Sequence, residues 1–387
     1  MIDRHIASAI MALQGKFPVL TITGPRQSGK TTLIKSLFPQ YPYFSLENPD
    51  TLARVSEDPR SLFREYGHRL VLDEVQRLPV LLSYTQGIVD EDDDAQIVLS
   101  GSHNLLMMES VSQTLAGRTA IFYLHPLSHA ELRQLLPTTI SVNELIFRGG
   151  YPRIYDKAIP AVPFYQAYLA TYVERDVRQL KNIGNLDTFA RFIAMCAGFI
   201  GQTINKNTLA EATGIDRQTA DSWLSLLRTS HIIYTLPPYF RNFKKRLVKT
   251  PKLYFRDTGL ACTLLGIDSP DQLRNYYQRG ALFENFIINE VAKGFYNQGL
   301  NPQLFFWRDS AQHEIDLLIP RGGQLYPIEI KSGATFKPDF FKQLNWFGNL
   351  ATVPLAPATV VYGGDESFNL SHGRVLSWRV TDQLVAQ

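Results

Sequence analysis

Cysteine is almost missing from this chain of 387 residues. Cys196 and Cys262 are the only two, both in apolar surroundings and without metal-ligand spacing. That excludes a disulfide framework and a thiolate metal site, and it fits a reducing cytoplasm, the location expected for the protein. Long apolar runs are missing as well. A membrane-spanning helix needs about 20 consecutive apolar residues, and the best candidate, residues 193–200, falls short, so no membrane partner is expected. The opening residues, with Asp3, Arg4 and His5, do not have the pattern of a cleavable leader. An excess of one charge is also absent: 39 basic against 36 acidic side chains leave a net charge of +3. Any affinity for nucleic acid must therefore come from a local patch. What is present, 45% apolar and 19% charged residues, describes a globular protein long enough for two or three domains.

The stretch Thr23-Gly24-Pro25-Arg26-Gln27-Ser28-Gly29-Lys30-Thr31-Thr32 has the form G-x-x-x-x-G-K-[ST]. Residues 17–22 before it are suited to a buried parallel strand, and residues 32–38 after it have helical periodicity closed by Pro39. Strand, glycine loop and helix form the context a phosphate-binding loop needs. Glycine lets backbone N–H groups curl round phosphate oxygens, and the helix N-terminus adds partial positive charge. Gly24 to Thr32 are accordingly expected to bind ATP, with Lys30 on the β- and γ-phosphates and the Thr31 hydroxyl on Mg²⁺. Hydrolysis also needs carboxylates at the end of a neighbouring strand. Leu70-Val71-Leu72-Asp73-Glu74 supplies them: Asp73 to hold Mg²⁺ through water, Glu74 to polarise the attacking water. A third apolar strand ends in Ser100-Gly101-Ser102, which offers Ser102, or failing it Ser100, as a polar sensor of the γ-phosphate. Arg118, on the turn after the helix expected over residues 104–115, reads either as an arginine finger, in cis or towards a neighbouring subunit, or as a surface arginine without a role.

These pieces together resemble the bacterial and archaeal AAA-type ATPases that carry a C-terminal domain of unassigned function. The match continues through Leu115-Ala116-Gly117-Arg118, Pro126-Leu127-Ser128, Arg148-Gly149-Gly150-Tyr151-Pro152 and Tyr172-Val173-Glu174-Arg175-Asp176-Val177. The resemblance covers essentially the whole chain. An arginine finger acting in trans would imply a homo-oligomer. Arg175, on a long helix expected over 165–180, reads as a salt-bridged helix face or as a second sensor.

Residues 208–213 and the stretch after Asp216 have the spacing of a helix-turn-helix around Gly214-Ile215. Ala220, Trp223, Leu224 and Leu227 share one face of the second helix, and Arg217 and Gln218 point away from it. A hairpin beginning at Ile232 continues through Arg241, Lys244, Lys245, Arg246, Lys249 and Lys252 without an acidic residue, with Tyr239, Phe240 and Phe243 among them. This is a winged helix whose basic wing fits contacts to DNA phosphates; a lid or packing module has the same pattern.

A second constellation follows Gly280. An amphipathic helix carries Glu284, residues 314–319 form a strand, and residues 326–331 form its hairpin partner. Alternation places Glu314 and Asp316 on one face of the first strand, and Glu329 and Lys331 on one face of the second. The arrangement is similar to the PD-(D/E)XK nuclease core. That resemblance implies Glu284, Asp316 and Glu329 as metal ligands, Lys331 as the group that activates water, and Gln343 as a supporting polar residue. Cross-strand salt bridges between Glu and Lys are the other reading. The expected architecture is α/β: residues 1–155 a P-loop AAA-type parallel sheet sandwiched by helices, 156–260 a helical linker and winged helix, 261–387 a restriction-endonuclease-like domain. Two functions remain open: an ATPase acting on nucleic acid with a metal-dependent nuclease, or an ATP-dependent switch whose last domain is a non-catalytic binding platform.

Overall fold

The computed structural model describes residues 2–102, 111, 113–172, 185–240 and 248–385. The chain forms two compact units, one of residues 1–127, 229–231 and 295–301, the other of residues 128–228, 232–294 and 302–387. Outside the described residues lie most of the helix expected over 104–115, Glu174, Arg175 and Asp176, and, from the basic wing, Arg241, Phe243, Lys244, Lys245 and Arg246.

The first unit is built on five parallel strands: β1 (Val19–Thr23), β2 (Tyr43–Ser45), β3 (Arg69–Asp73), β4 (Gln96–Gly101) and β5 (Thr119–Tyr123). Their order is β2-β3-β4-β1-β5. All five residues of β1 are buried, because both faces of the sheet are covered. Val19, Leu70, Leu72, Ile97 and Leu99 pack on one face with Leu62, Phe63, Leu81 and Leu82 of two helices. Leu20, Ile22, Val71 and Val98 pack on the other with Ile6, Ile10, Leu33 and Ile34. This is the expected parallel sheet between layers of helix.

In the second unit the helices Leu186–Gly198, Lys206–Thr213 and Arg217–Thr229 precede an antiparallel pair, β6 (Ile233–Leu236) and β7 (Lys252–Phe255). Gly214 closes one helix in the left-handed region at φ 71°, and the Asp216 side chain accepts from the Thr219 amide at 2.8 Å to start the next. Trp223, Leu224 and Leu227 are buried on that helix, while Arg217 and Gln218 are exposed. A six-stranded mixed sheet follows, in the order β12-β13-β11-β10-β9-β8. It comprises β8 (Phe305–Arg308), β9 (Glu314–Arg321), β10 (Gln324–Lys331), β11 (Thr359–Tyr362), β12 (Phe368–Leu370) and β13 (Gly373–Ser377). β9 and β10 are the expected hairpin, and β10, β11 and β13 run parallel. Ile315 and Leu317 are buried and Glu314 and Asp316 half-buried, as the alternation requires. The chain on either side of residues 241–247 runs along β8, with the Tyr239 amide 2.7 Å from the Phe306 carbonyl and the Val248 amide 3.1 Å from that of Arg308. The flanks of the basic stretch thus cover a sheet edge.

Residues 128–155, expected in the ATPase core, group with the second unit, and Asp257 ties Gly150 and Tyr165 to the helix that it caps. Its buried carboxylate caps the helix Thr258–Leu264 through the amides of Gly259 (3.0 Å) and Leu260 (3.1 Å). It also accepts from the Gly150 amide at 2.7 Å and the Tyr165 hydroxyl at 2.5 Å. Asp257→Ala would strand both groups and remove the cap. We expect it to cost about 3 kcal/mol, read as a lower urea midpoint, with Asp257→Asn recovering part of the loss.

Candidate nucleotide site and acidic cluster

The parallel register brings the C-terminal ends of β1, β3 and β4 to one edge, pairing Thr23 with Gly101 and Ser45 with Asp73. There the chain leaves β1 through Gly24 at φ 149°, where a Cβ would run into the Leu124 carbonyl oxygen. Only glycine fits. Gln27 (φ 60°) and Gly29 (φ 95°) turn the loop, and the helix Lys30–Leu37 begins directly after it. Lys30 is buried, its Nζ donating to the carbonyls of Gly24 and Pro25 at 2.9 Å each. The loop is also held from outside. Arg4 donates to the Ser28 carbonyl at 2.8 Å and to the His125 carbonyl at 2.6 Å.

Asp73 collects four donors. One carboxylate oxygen accepts from the Thr31 hydroxyl at 2.9 Å and from the Tyr43 hydroxyl; the other accepts from the Ser100 hydroxyl and from the Glu74 amide at 3.1 Å. Burial, and then the neighbouring Asp73 carboxylate, push the Tyr43 hydroxyl well above its ordinary range, so it stays a donor. The donor set at this point, a hydroxyl and a carboxylate on adjoining elements, suits a hard cation such as Mg²⁺.

Glu74 adopts the left-handed conformation, φ 58° and ψ 44°, which costs a non-glycine residue about 1–3 kcal/mol. Its carboxylate accepts from the Ser102 hydroxyl at 2.9 Å and amide at 3.3 Å, and from the Gln76 amide group. Burial works to raise this carboxyl. The Lys30 charge and the bonds from Gln76 and Ser102 outweigh it and hold the group below the usual carboxylate range. Glu74 is thus held as a carboxylate, with Ser102 on it and Ser100 on Asp73.

Arg118 lies elsewhere. Val19 pairs with Thr119, so Arg118 precedes β5 at the opposite edge of the sheet, a five-residue strand or ~16 Å from the phosphate loop. Its guanidinium is bidentate on Asp90, at 2.6 and 2.9 Å. A finger in cis is excluded by this topology.

In the second unit, Glu284 of the helix Arg279–Asn297 and Glu314 and Asp316 of β9 offer carboxylate oxygens that all lie within 4.8 Å of one another. Glu329 is not in this group. It pairs with Lys331 at 2.5 Å, and its other oxygen is buried without a hydrogen-bond partner. Burial and then the Asp316 charge push the Glu329 carboxyl up, against the pull of Lys331. Lys252, expected on the basic wing as a phosphate contact, is instead buried beside the cluster. Its Nζ is 2.9 Å from a Glu284 oxygen and also touches Glu314. The residues present therefore do not fit a metal ion: three carboxylates have the right chemistry, but an ammonium already stands on two of them.

A family model described as an AAA domain matches residues 16–133, and models of two domains of unknown function, DUF8612 and DUF4143, match residues 139–271 and 279–380. Over 377 residues, 96% of this chain and 82% of the relative, the sequence is 30% identical to the uncharacterized protein Rv2008c of Mycobacterium tuberculosis; Mb2031c of Mycobacterium bovis matches in the same measure. The chain belongs to the family of these mycobacterial proteins, with a P-loop AAA ATPase domain at its start. Among solved structures, the Walker-type ATPase PABY2304 of Pyrococcus abyssi aligns at a TM-score of 0.45 and 16% identity, covering 68% of this chain and 96% of that one. The STAND protein PH0952 of Pyrococcus horikoshii aligns at 0.30 and 11%, covering 76% and 47%.

In this AAA protein, then, Lys30, Thr31, Asp73, Glu74 and Ser102 come together. Arg217, Gln218 and Lys249 are exposed in the second unit, and Gln343 lies half-buried on the helix Lys342–Leu350. Sequence reasoning missed Arg4 and Tyr43 and misread Lys252. It placed Glu314 on the face of Asp316 by alternation but did not count it among the acidic ligands. Among the described residues no helix is long and apolar enough to cross a membrane. Because Gly24 has no room for a Cβ, Gly24→Ala is expected to weaken ATP affinity at least tenfold, measured by fluorescent-nucleotide titration.

Proposed function

We propose that this AAA protein is a cytoplasmic ATPase that hydrolyses Mg²⁺–ATP and works on or with nucleic acid, DNA foremost, as a homo-oligomer. The observation that carries the ATPase part is the joining of Thr31, Asp73, Glu74 and Ser102 at one strand edge, next to Lys30. Loop amides from Gly24 to Thr32 and the Lys30 ammonium bind the phosphates. Bound Mg²⁺ would be held by Thr31 and Asp73 and would supply neutralising charge at the β- and γ-phosphates. Glu74, ionised and fixed by Ser102, orients the attacking water and takes its proton.

The nucleic-acid part rests on the second unit. A capped helix pair with exposed Arg217 and Gln218, followed by the β6–β7 hairpin, supports a winged helix over the middle third of the chain. Lys249 is exposed beside it, and Lys244, Lys245 and Arg246 add charge by sequence. The hairpin β9–β10, its parallel neighbour β11 and the helix bearing Glu284 support a restriction-endonuclease-like core. With Lys252 on its carboxylates, that core is better suited to a binding platform than to cleavage.

Lys30→Ala is expected to abolish ATP hydrolysis; a rate equal to wild type would sink the assignment. Glu74→Gln should keep ATP binding while slowing turnover by about 100-fold or more. A depressed carboxyl keeps its charge as pH falls. Any acid limb of turnover that belongs to Glu74 should therefore lie below the ordinary glutamate range; an acid limb near neutrality that is missing from the residual turnover of Glu74→Gln would contradict this. In fluorescence-anisotropy titrations, Lys244→Ala, Lys245→Ala and Arg246→Ala combined should weaken DNA binding and reduce its salt dependence, by about one unit of slope per lost phosphate contact.

A further inference from the structure

The acidic cluster of the second unit already has a cation. Lys252 comes from β7, outside the six-stranded sheet, and its side chain is only 3% exposed. The ammonium stands 2.9 Å from Glu284 and touches Glu314, with the Phe306 ring centre 5.5 Å away. Tyr254, two residues further along the same strand, donates its hydroxyl to the Glu284 oxygen that Lys252 holds. Arg308 adds a second positive charge 3.3 Å from the other Glu314 oxygen. Asp316 has a backbone partner, the Ile330 amide at 2.8 Å.

Burial opposes the charge on Lys252, but Glu284, Glu314 and Asp316 outweigh it and raise the ammonium above its ordinary range. A divalent ion placed among these partly exposed oxygens would stand beside the buried ammonium, and the two like charges would repel.

We propose that the Lys252 ammonium is the resident cation of this cluster, so that Glu284, Glu314 and Asp316 bind β7 to the C-terminal sheet and take up no divalent metal. This goes beyond the ATPase reading and does not depend on it: the two share no residue. The protein presents its nuclease-like carboxylates as an internal ion-pair network. Removing the ammonium uncovers a divalent-cation site of three carboxylates.

The test is Mn²⁺ uptake by full-length, nucleotide-free protein, followed by loss of the free-ion electron paramagnetic resonance signal. Wild type and Asp316→Asn should bind the same amount, since any ion at Thr31 and Asp73 is common to both. Lys252→Met keeps the apolar stem without the charge. It should bind one more Mn²⁺ per chain than Lys252→Met combined with Asp316→Asn, and its melting temperature should rise with Mn²⁺. A Mn²⁺ bound by wild type and lost in Asp316→Asn overturns the proposal. So does a folded Lys252→Met that binds no more than its double variant. Should Lys252→Met fail to fold, the comparison of wild type with Asp316→Asn still decides the matter.

Discussion

A buried carboxylate needs hydrogen-bond donors around it, and Asp73 is where that requirement shapes the first unit. Thr31, Tyr43, Ser100 and the Glu74 amide all bond to it. Those donors come from the helix after the phosphate loop, from β2, from β4 and from the turn leaving β3. One side chain therefore aligns four elements at the edge where the nucleotide is to sit. The parallel order of the sheet makes this possible, because it ends β1, β3 and β4 side by side. Glu74 follows in a conformation that costs energy, and its own two partners, Ser102 and Gln76, keep it there.

The second unit meets the same requirement with opposite means. Glu284, Glu314 and Asp316 are gathered by a helix and a strand, and neutral donors alone do not balance them. Lys252 and Arg308 do. Breaking a buried network of this kind by removing one partner leaves a bare charge behind, at a cost of about 3–5 kcal/mol. The network thus joins β7 to the sheet, and Asp257 likewise links residues 149–165 to the helix Thr258–Leu264.

The strand-loop-helix at residues 24–32 and the place of Asp73 and Glu74 at a strand end were legible because they are local: the spacing within one loop, and the position of two residues after an apolar run, are properties of neighbours in the chain. The β9–β10 hairpin was legible for the same reason, through its alternation. Lys252 was not. It follows a basic stretch and was grouped with it, whereas its partners lie 32 residues or more further on. A hint was present, since Lys252-Leu253-Tyr254-Phe255 continues as an apolar run and is buried at every position. Arg118 differs. Its place in the chain left a finger in cis, a finger towards a neighbouring subunit and a plain surface arginine open, and only the pairing of Val19 with Thr119 removes the first by setting it at the other end of the strands.

Tyr43 belongs to β2, and β2 is both an outer strand of the sheet and only three residues long. Outer strands are the first parts of a sheet to fray, because one side of their backbone has no ladder to hold it. Its hydroxyl is nevertheless bonded to the carboxylate on which the nucleotide site is centred. Local peeling at this margin would take one of two hydroxyl donors from an Asp73 oxygen and leave Thr31 as its lone side-chain partner there. The periphery of the sheet and its chemical centre are thus coupled through this phenol, beside the backbone bond from the Leu46 amide to the Asp73 carbonyl, and whatever grips or loosens β2 reaches the carboxylate without crossing the core.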